Sequence, residues 1–433
     1  MNIPEENHRR LVAFFQSGAK QATEAGNLGV EVEHQVVGLD GGPISYEPTD
    51  GRVGIRHVLE FLSTWYPQRS FNNEHDLLGL LGPEGSITLE PAAQLEISIA
   101  PYASVSDVAQ AYRHFREHVD PFLSERGARL VPLGYHPTCK AQQLALIPKR
   151  RYDFMDAYFA AIGSHGDRMM RASASTQVSV DFTDEADAVR KMRVAAALAP
   201  ILSAIADNTP AFEGKANGTP IRRLQLWREV DNLRCGTIPG IFHDGFGFDA
   251  YADWVLRTPP IFVTRASASD PKGPQLRPFF SESAELAYAD APLSDADVEH
   301  AISMFWPDVR LKRFVEVRPA DSLPTEQILG YTALIKGIFY NEASLRAIED
   351  ELGVDPQAAH DRGPWSIDTD DVSEAIQETQ AHGFDACIYG ISLSTWEDML
   401  FDLASEGLPS DERAYLQPLR QFASDKSWWK TEG

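Results

Sequence analysis

The stretch Gly29-Val30-Glu31-Val32-Glu33-His34 decides the fold. In an extended chain successive side chains point to opposite faces, so Glu31 and Glu33 share one side of a strand while Val30 and Val32 share the other. Two like charges on one side repel. Such a face is either washed by solvent or gathered around a cation.

The same two-residue period recurs outward from this point. A turn at Gly82-Pro83-Glu84-Gly85 leads into SITLEP (86–91) and QLEISIA (94–100), joined tightly enough to read as a hairpin. ARLVPLGYHP (128–137), SASTQVSVDF (173–182) and RLKRFVEVRP (310–319) read as further strands. The polar faces are then Glu31 and Glu33; Ser86, Thr88 and Glu90; Gln94, Glu96 and Ser98; Gln177, Ser179 and Asp181; and Lys312, Glu316 and Arg318. The opposite faces are Val, Ile and Leu, with Arg313 the exception.

Between these strands, helical patterns are expected at about 5–24, 54–66, 104–127 (Ser-capped, with Pro121 kinking it), 152–162, 184–207 (capped by Thr/Asp) and 293–305, followed by several C-terminal helices ending at SWWK. The segment 210–260 is rich in Gly, Pro, Arg and aromatics. It reads as long functional loops around a short helix near 248–256. The expected class is α+β, a mostly antiparallel sheet with helices, in a single domain over residues 1–433; no repeat or interdomain linker stands out.

Composition bounds the function. With 433 residues, 43% of them hydrophobic, the chain buries a full core. Its 63 acidic and 39 basic residues give a net charge of -24, which repels a phosphate backbone, so nucleic acid is not an expected partner. Anionic substrates would need cations supplied locally. Cys139, Cys235 and Cys387 are odd in number and far apart, fitting neither a disulfide framework nor a zinc knuckle, and the chain shows neither a signal-peptide core nor a membrane span. The expected setting is the cytoplasm, with no membrane partner.

Any one polar strand face reads as the wet side of a half-covered sheet. Taken together, the faces are mostly acid and amide, with basic groups confined to the last strand. Converging glutamates need compensation, and hard oxygen donors suit Mg²⁺ or Mn²⁺. Magnesium in turn suggests nucleotide phosphates, yet no G-x-x-x-x-G-K-[ST] or G-x-G-x-x-G is present. A sheet whose carboxylates hold ATP through metal ions is the remaining route, with Arg151, Arg223, Arg234 and Arg318 as candidate grips for carboxylate and phosphate.

Five segments carry a resemblance: GPEGSITLEPAAQLEIS (82–98), RYDFMDAYFAAIGSHGDRMMRASASTQVSVDFTDEADAVRKMR (151–193), TPAFEGKANGTPIRRLQLW (209–227), DGFGFDAYADWVL (244–256) and FWPDVRLKRFVEVRPAD (305–321). In this order they resemble the plant and proteobacterial glutamate–cysteine ligases, a group that includes the actinobacterial enzyme of ergothioneine biosynthesis. The resemblance implies a curved, mostly antiparallel funnel related to glutamine synthetase, with helices on its outer face and Mg²⁺ holding ATP on the concave side. It implies Glu31, Glu33, Glu90, Glu96, Gln177 and Glu316 as metal ligands. Arg151 and Arg223 would grip glutamate, Trp227 would wall its pocket, Arg318 would face phosphate, and Arg234 is a further catalytic candidate.

Two positions depart from the plant pattern: Ile261 in TPPIFV stands where a Tyr is found, and Cys235 follows Arg234 where a hydroxyl residue is found. The Cys235 thiol reads as buried and inert. The implied reaction joins the glutamate γ-carboxylate to the cysteine amine through γ-glutamyl phosphate, in a monomer or homodimer. Competing readings are a ligase for a different amine, a metal-independent glycosidase with paired carboxylates, and an inactive nucleotide-binding regulator.

Overall fold

The computed structural model describes residues 2–163, 165–263, 275–276, 283–354 and 364–429. Its centre is a nine-stranded open sheet built from β1 (Leu28–Gly38), β2 (Gln68–Phe71), β3 (Leu77–Gly82), β4 (Gly85–Leu89), β5 (Leu95–Tyr102), β6 (Ala128–Val131), β7 (Thr176–Val180), β8 (Val309–Leu311) and β9 (Val315–Val317). The spatial order is β8-β9-β7-β1-β5-β4-β3-β2, and β6 pairs with the distal half of β1. These pairings are antiparallel.

The alternation holds along the inner strands. Val30, Val32, Ile87, Leu89, Leu95, Ile97, Val178, Val180, Val315 and Val317 are buried on one face. Helix Val105–Ser124 covers β5 and β6, helix Thr325–Phe339 covers β1 and β7, and helix Glu185–Ile205 covers β8 and β9. Each such aliphatic side chain contributes roughly 1.5–3 kcal/mol by leaving water, so this face anchors the fold. The polar face is thereby turned the other way. Among the described residues, no helix is long and apolar enough to cross a membrane.

The expected hairpin is β4–β5, entered through the two-residue connection Pro83-Glu84. Gly85 adopts φ 139°, and a Cβ there would strike the Ser98 carbonyl, so the turn requires glycine. The first helix ends at Gln16 rather than near 24, and Gly18 just beyond it lies against the Arg313 backbone with no room for a side chain.

Several expected elements are shorter or divided. The second helix is Ile55–Leu62, and the strand beginning at Ala128 stops at Val131, before Pro132. Pro121 falls in the last turn of its helix, within Val105–Ser124. The expected single strand 310–319 is the hairpin β8–β9, with Arg310 opposite Glu316 and Leu311 opposite Val315. Arg313 therefore sits in the turn and is no exception to an apolar face. Elements outside the sequence reading include the outer strands β2 and β3, helix Gly166–Ala172, and helix Arg222–Arg228 within the long loops.

Candidate active site

Antiparallel register turns the strand faces into rows. Thr88 stands opposite Glu96, and Glu96 opposite Glu33. Ser98 stands opposite Glu31, which stands opposite Gln177. Ser179 stands opposite Glu316, which stands opposite Arg310. Directly opposed residues share a face and approach closely, so six strands put their polar groups on one floor.

That floor lies at the bottom of a recess of about 280 Å3. Glu31, Glu33, Glu96 and Gln177 line it from the sheet, and Glu90 from the β4–β5 connection. Lys149, Arg151 and Tyr152, around the start of helix Arg150–Ile162, form one flank. Arg310 and Arg318 form another, and Trp227 and Trp306 close the wall with ring centroids 6.2 Å apart. The recess thus combines an acidic floor with cationic flanks.

Hydrogen bonds fix the floor. Ser175 N donates to Glu33 Oε2 at 2.7 Å, and Gln177 Nε2 donates to Glu33 Oε1 at 3.0 Å. Thr88 Oγ1 and Ser98 Oγ donate to Glu96 Oε1 at 2.5 and 3.2 Å. Gln177 Oε1 accepts from Arg318 Nη1. On the flank, Arg151 Nη2 donates to the Ser303 carbonyl and hydroxyl, both at 3.3 Å, while its Nε has no partner. Arg151 therefore keeps donor capacity for a ligand.

The floor carboxyls are buried and crowded, and the nearby cations offset this only in part. Burial, with the Glu96 charge added, raises the Glu31 carboxyl to about 7; burial, with Glu96 and Glu33, raises Glu90 to about 8. Burial also raises Glu33 and Glu96. Lys149 moves the other way, lowered by burial although Glu90 opposes the shift. Acids crowded this closely in low dielectric shed charge unless a cation joins them. Among the described residues, no three Asp, Glu, His or Cys groups stand ready in a ligating cluster, so the floor offers donors rather than a closed cage.

Three expected site residues are placed differently. Glu316 is fully buried beside the recess and accepts from Arg310 (2.7 and 3.1 Å), Lys312 (2.8 Å) and Arg318 (2.8 Å). Burial would raise its pKa, but the three cations hold it well below the usual carboxylate range. Arg234 does not reach the recess. It is fully buried and donates to Asp231 Oδ2 at 2.6 Å, the Pro259 carbonyl at 2.7 Å and the Tyr158 hydroxyl at 3.3 Å, which makes it a brace between loops. Arg223 lies one layer behind the wall, its Nη1 donating to the carbonyls of Arg318, Pro319 and Ala320 at 3.3–3.4 Å. Its charge acts on Glu33 from behind rather than on a ligand.

Ile261 is wholly buried, away from the recess, and the buried Cys235 thiol is kept protonated by burial. The sequence reading missed Lys149, Arg310, Trp306 and Ser303. Lys149 was readable as the neighbour of the Arg150-Arg151 pair. Arg310 became visible only with the β8–β9 hairpin, which folds it onto Glu316.

The family model described as glutamate-cysteine ligase family 2 matches residues 27–425, nearly the whole chain. The chain belongs to that family. Among curated relatives, a chloroplastic glutamate–cysteine ligase B of Oryza sativa subsp. japonica is 33% identical over 344 residues, which is 78% of this chain and 67% of that one. The chloroplastic glutamate–cysteine ligase of Nicotiana tabacum is also 33% identical over 344 residues, covering 78% and 64%. A solved glutamate–cysteine ligase of Francisella tularensis in complex with AMP is 10% identical, with a TM-score of 0.46 and coverage of 93% of this chain and 83% of that one. Within glutamate–cysteine ligase family 2, the recess is the natural place to look for the chemistry of this chain, since it gathers five of the six expected metal ligands.

Proposed function

We propose that this chain is an ATP-dependent ligase that joins the γ-carboxylate of L-glutamate to the amine of L-cysteine, giving γ-glutamylcysteine, ADP and phosphate. The observation that carries this reading is the opposition of an acidic oxygen-donor floor and cationic flanks in one recess of the sheet. Family membership supports a ligase with ATP as co-substrate.

The floor fits a hard divalent cation. Glu31, Glu33, Glu90 and Glu96 present carboxylate oxygens to it, with the Gln177 amide among them, and burial and mutual repulsion raise the Glu31 and Glu90 carboxyls, which a bound cation would offset. We assign Mg²⁺, with Mn²⁺ as the nearest substitute; Glu316 would join the set if a metal displaced one of its cation partners. When bound, the metal neutralises the triphosphate and the charge that develops on it.

The chain's own residues do the rest by positioning. Arg151, with free donor capacity beside Ser303, holds a glutamate carboxylate, and Trp227 with Trp306 excludes water from the wall. A γ-carboxylate oxygen attacks the γ-phosphorus of ATP and the bond to the bridging oxygen breaks, so ADP leaves. Arg318 and Arg310, which line the recess, would stabilise that developing charge. The cysteine amine then attacks the acyl carbon, phosphate leaves and the nitrogen loses its proton. The product would feed a low-molecular-weight thiol such as glutathione or ergothioneine. Three free cysteines fit a reducing cytoplasm, and a monomer or homodimer suffices because one chain supplies every group named.

The test is direct. Purified protein given glutamate, cysteine, ATP and Mg²⁺ is expected to release phosphate and form γ-glutamylcysteine, read by mass. Turnover with another amine but not cysteine would replace the acceptor. Hydrolysis of a glycoside without ATP, unaffected by EDTA, would overturn the ligase reading.

A further inference from the structure

A buried polar junction lies outside the lining of the recess. Asp207, buried just beyond helix Glu185–Ile205, accepts at Oδ2 from the backbone N–H of Ile221 (2.9 Å) and from Trp429 Nε1 (2.6 Å), and at Oδ1 from Thr209 N (3.2 Å). Lys426, 1% exposed, donates from Nζ to the carbonyls of Ile205 (3.2 Å) and Asp207 (2.8 Å). Two side chains more than two hundred residues downstream thus close on one loop.

Ile221 gives this junction its consequence. It holds φ 47° and ψ 39°, left-handed backbone that a β-branched residue adopts only under constraint. It immediately precedes helix Arg222–Arg228, and no side chain caps that helix. One residue of this helix lines the recess and another braces the helix from behind. Trp227 walls the recess beneath the Arg318 guanidinium, 5.9 Å from its ring, and Arg223 ties the helix to the carbonyls that follow β9. The loop after Asp207 also grips the chain beyond Arg318, since Asn208 N and Thr209 Oγ1 donate to Asp321 Oδ2 at 2.8 and 2.6 Å.

We propose that Trp429, acting through Asp207 together with Lys426, is a positioning residue for the glutamate-binding wall: it holds the strained Ile221 linkage and so sets where Trp227 and Arg223 stand. The inference rests on reading the recess as the glutamate and nucleotide site. A buried carboxylate that loses one donor is left with an unmet acceptor, and the loop that carries it is driven to re-orient toward a new donor. The Ile221 constraint then relaxes, and the wall moves while the acidic floor stays.

The test uses the full chain carrying Trp429→Phe, which keeps a ring against Phe384 but removes the Nε1–H donor. Hydrogen exchange across residues 221–228 is expected to quicken by about tenfold. The KM for glutamate is expected to rise by about the same factor, with kcat and the KM for ATP within about twofold of the parent. Lys426→Met, which leaves the Trp429 bond in place, is expected to change both in the same direction but less. A variant that melts earlier while exchange and the glutamate KM stay at parent values shows a merely structural contact and overturns the proposal. Faster exchange with an unchanged glutamate KM also overturns it, since the wall would then be free to move without consequence. If the parent protein itself turns over no glutamate, the functional reading falls, and the exchange measurement alone decides the junction.

Discussion

Glu33 and Glu96 stand directly opposite one another across the β1–β5 ladder, one carboxylate held by Ser175 and Gln177, the other by Thr88 and Ser98. Each is fixed by donors that are neutral, so neither hydrogen-bond set cancels the repulsion between them. Glu96→Gln removes one charge from the pair. The metal-free protein is expected to melt higher than the parent, to lose the stabilisation that Mg²⁺ gives, and to turn over about 10²–10³-fold more slowly. Melting curves in EDTA and in Mg²⁺ check this; an undiminished Mg²⁺ shift with parental turnover would remove Glu96 from the metal set.

Arg151 lines the recess with its buried Nε unpartnered, and Ser303 accepts from its Nη2. A charge-assisted bond to a carboxylate is worth ~1.5–3 kcal/mol, or roughly 10- to 100-fold in affinity. Arg151→Met is expected to raise the glutamate KM by that factor and to leave the ATP KM near parental. An equal rise in both constants would place Arg151 on the nucleotide instead.

Arg234 and Arg318 separate bracing from binding. Arg234 is wholly buried against Asp231, so Arg234→Met strands a buried carboxylate and is expected to cost about 3–5 kcal/mol of stability. The protein that remains folded is expected to keep a parental glutamate KM. Arg318→Lys is expected to do the reverse, melting near the parent while turnover falls by about 10²-fold. Thermal melts run beside steady-state assays distinguish the two, and a parental melt for Arg234→Met would contradict its bracing role.

His136 supplies a pH dependence away from the recess. Its ring Nδ1 accepts from Cys139 N at 3.1 Å, which requires that nitrogen to be unprotonated, and burial pushes the imidazole down from 6.5 to about 4. A histidine depressed in the folded state adds stability above its unfolded pKa and loses it as pH falls through the folded value. The melting midpoint is therefore expected to drop between about pH 6.5 and pH 4. His136→Asn, which keeps an acceptor but does not titrate, is expected to flatten that drop; an unchanged slope would assign the acid sensitivity to other groups.

The strand alternation and the β4–β5 hairpin were legible in the chain because both are local. Side-chain direction in a strand depends on parity alone, so Glu31, Glu33, Glu96 and Gln177 could be assigned to one face before any partner was known. Glu90 followed from the tight turn between its two strands. The cation flank was less legible, since an arginine is compatible with a surface pair, a brace or a ligand grip until its neighbours are known.

Sequence by itself thus determined which residues turn away from the apolar core, because that choice rests on a two-residue period and on the free energy of burying Val, Ile and Leu. Only the tertiary structure decided which polar groups meet. It folded residues 309–317 into a hairpin that turns Arg310 toward the recess, buried Arg234 and Arg223 behind the wall, brought Lys149 beside Glu90, and drew Trp429 onto Asp207. Those outcomes depend on strand register, on turns and on contacts between segments distant in the chain, which no local periodicity encodes.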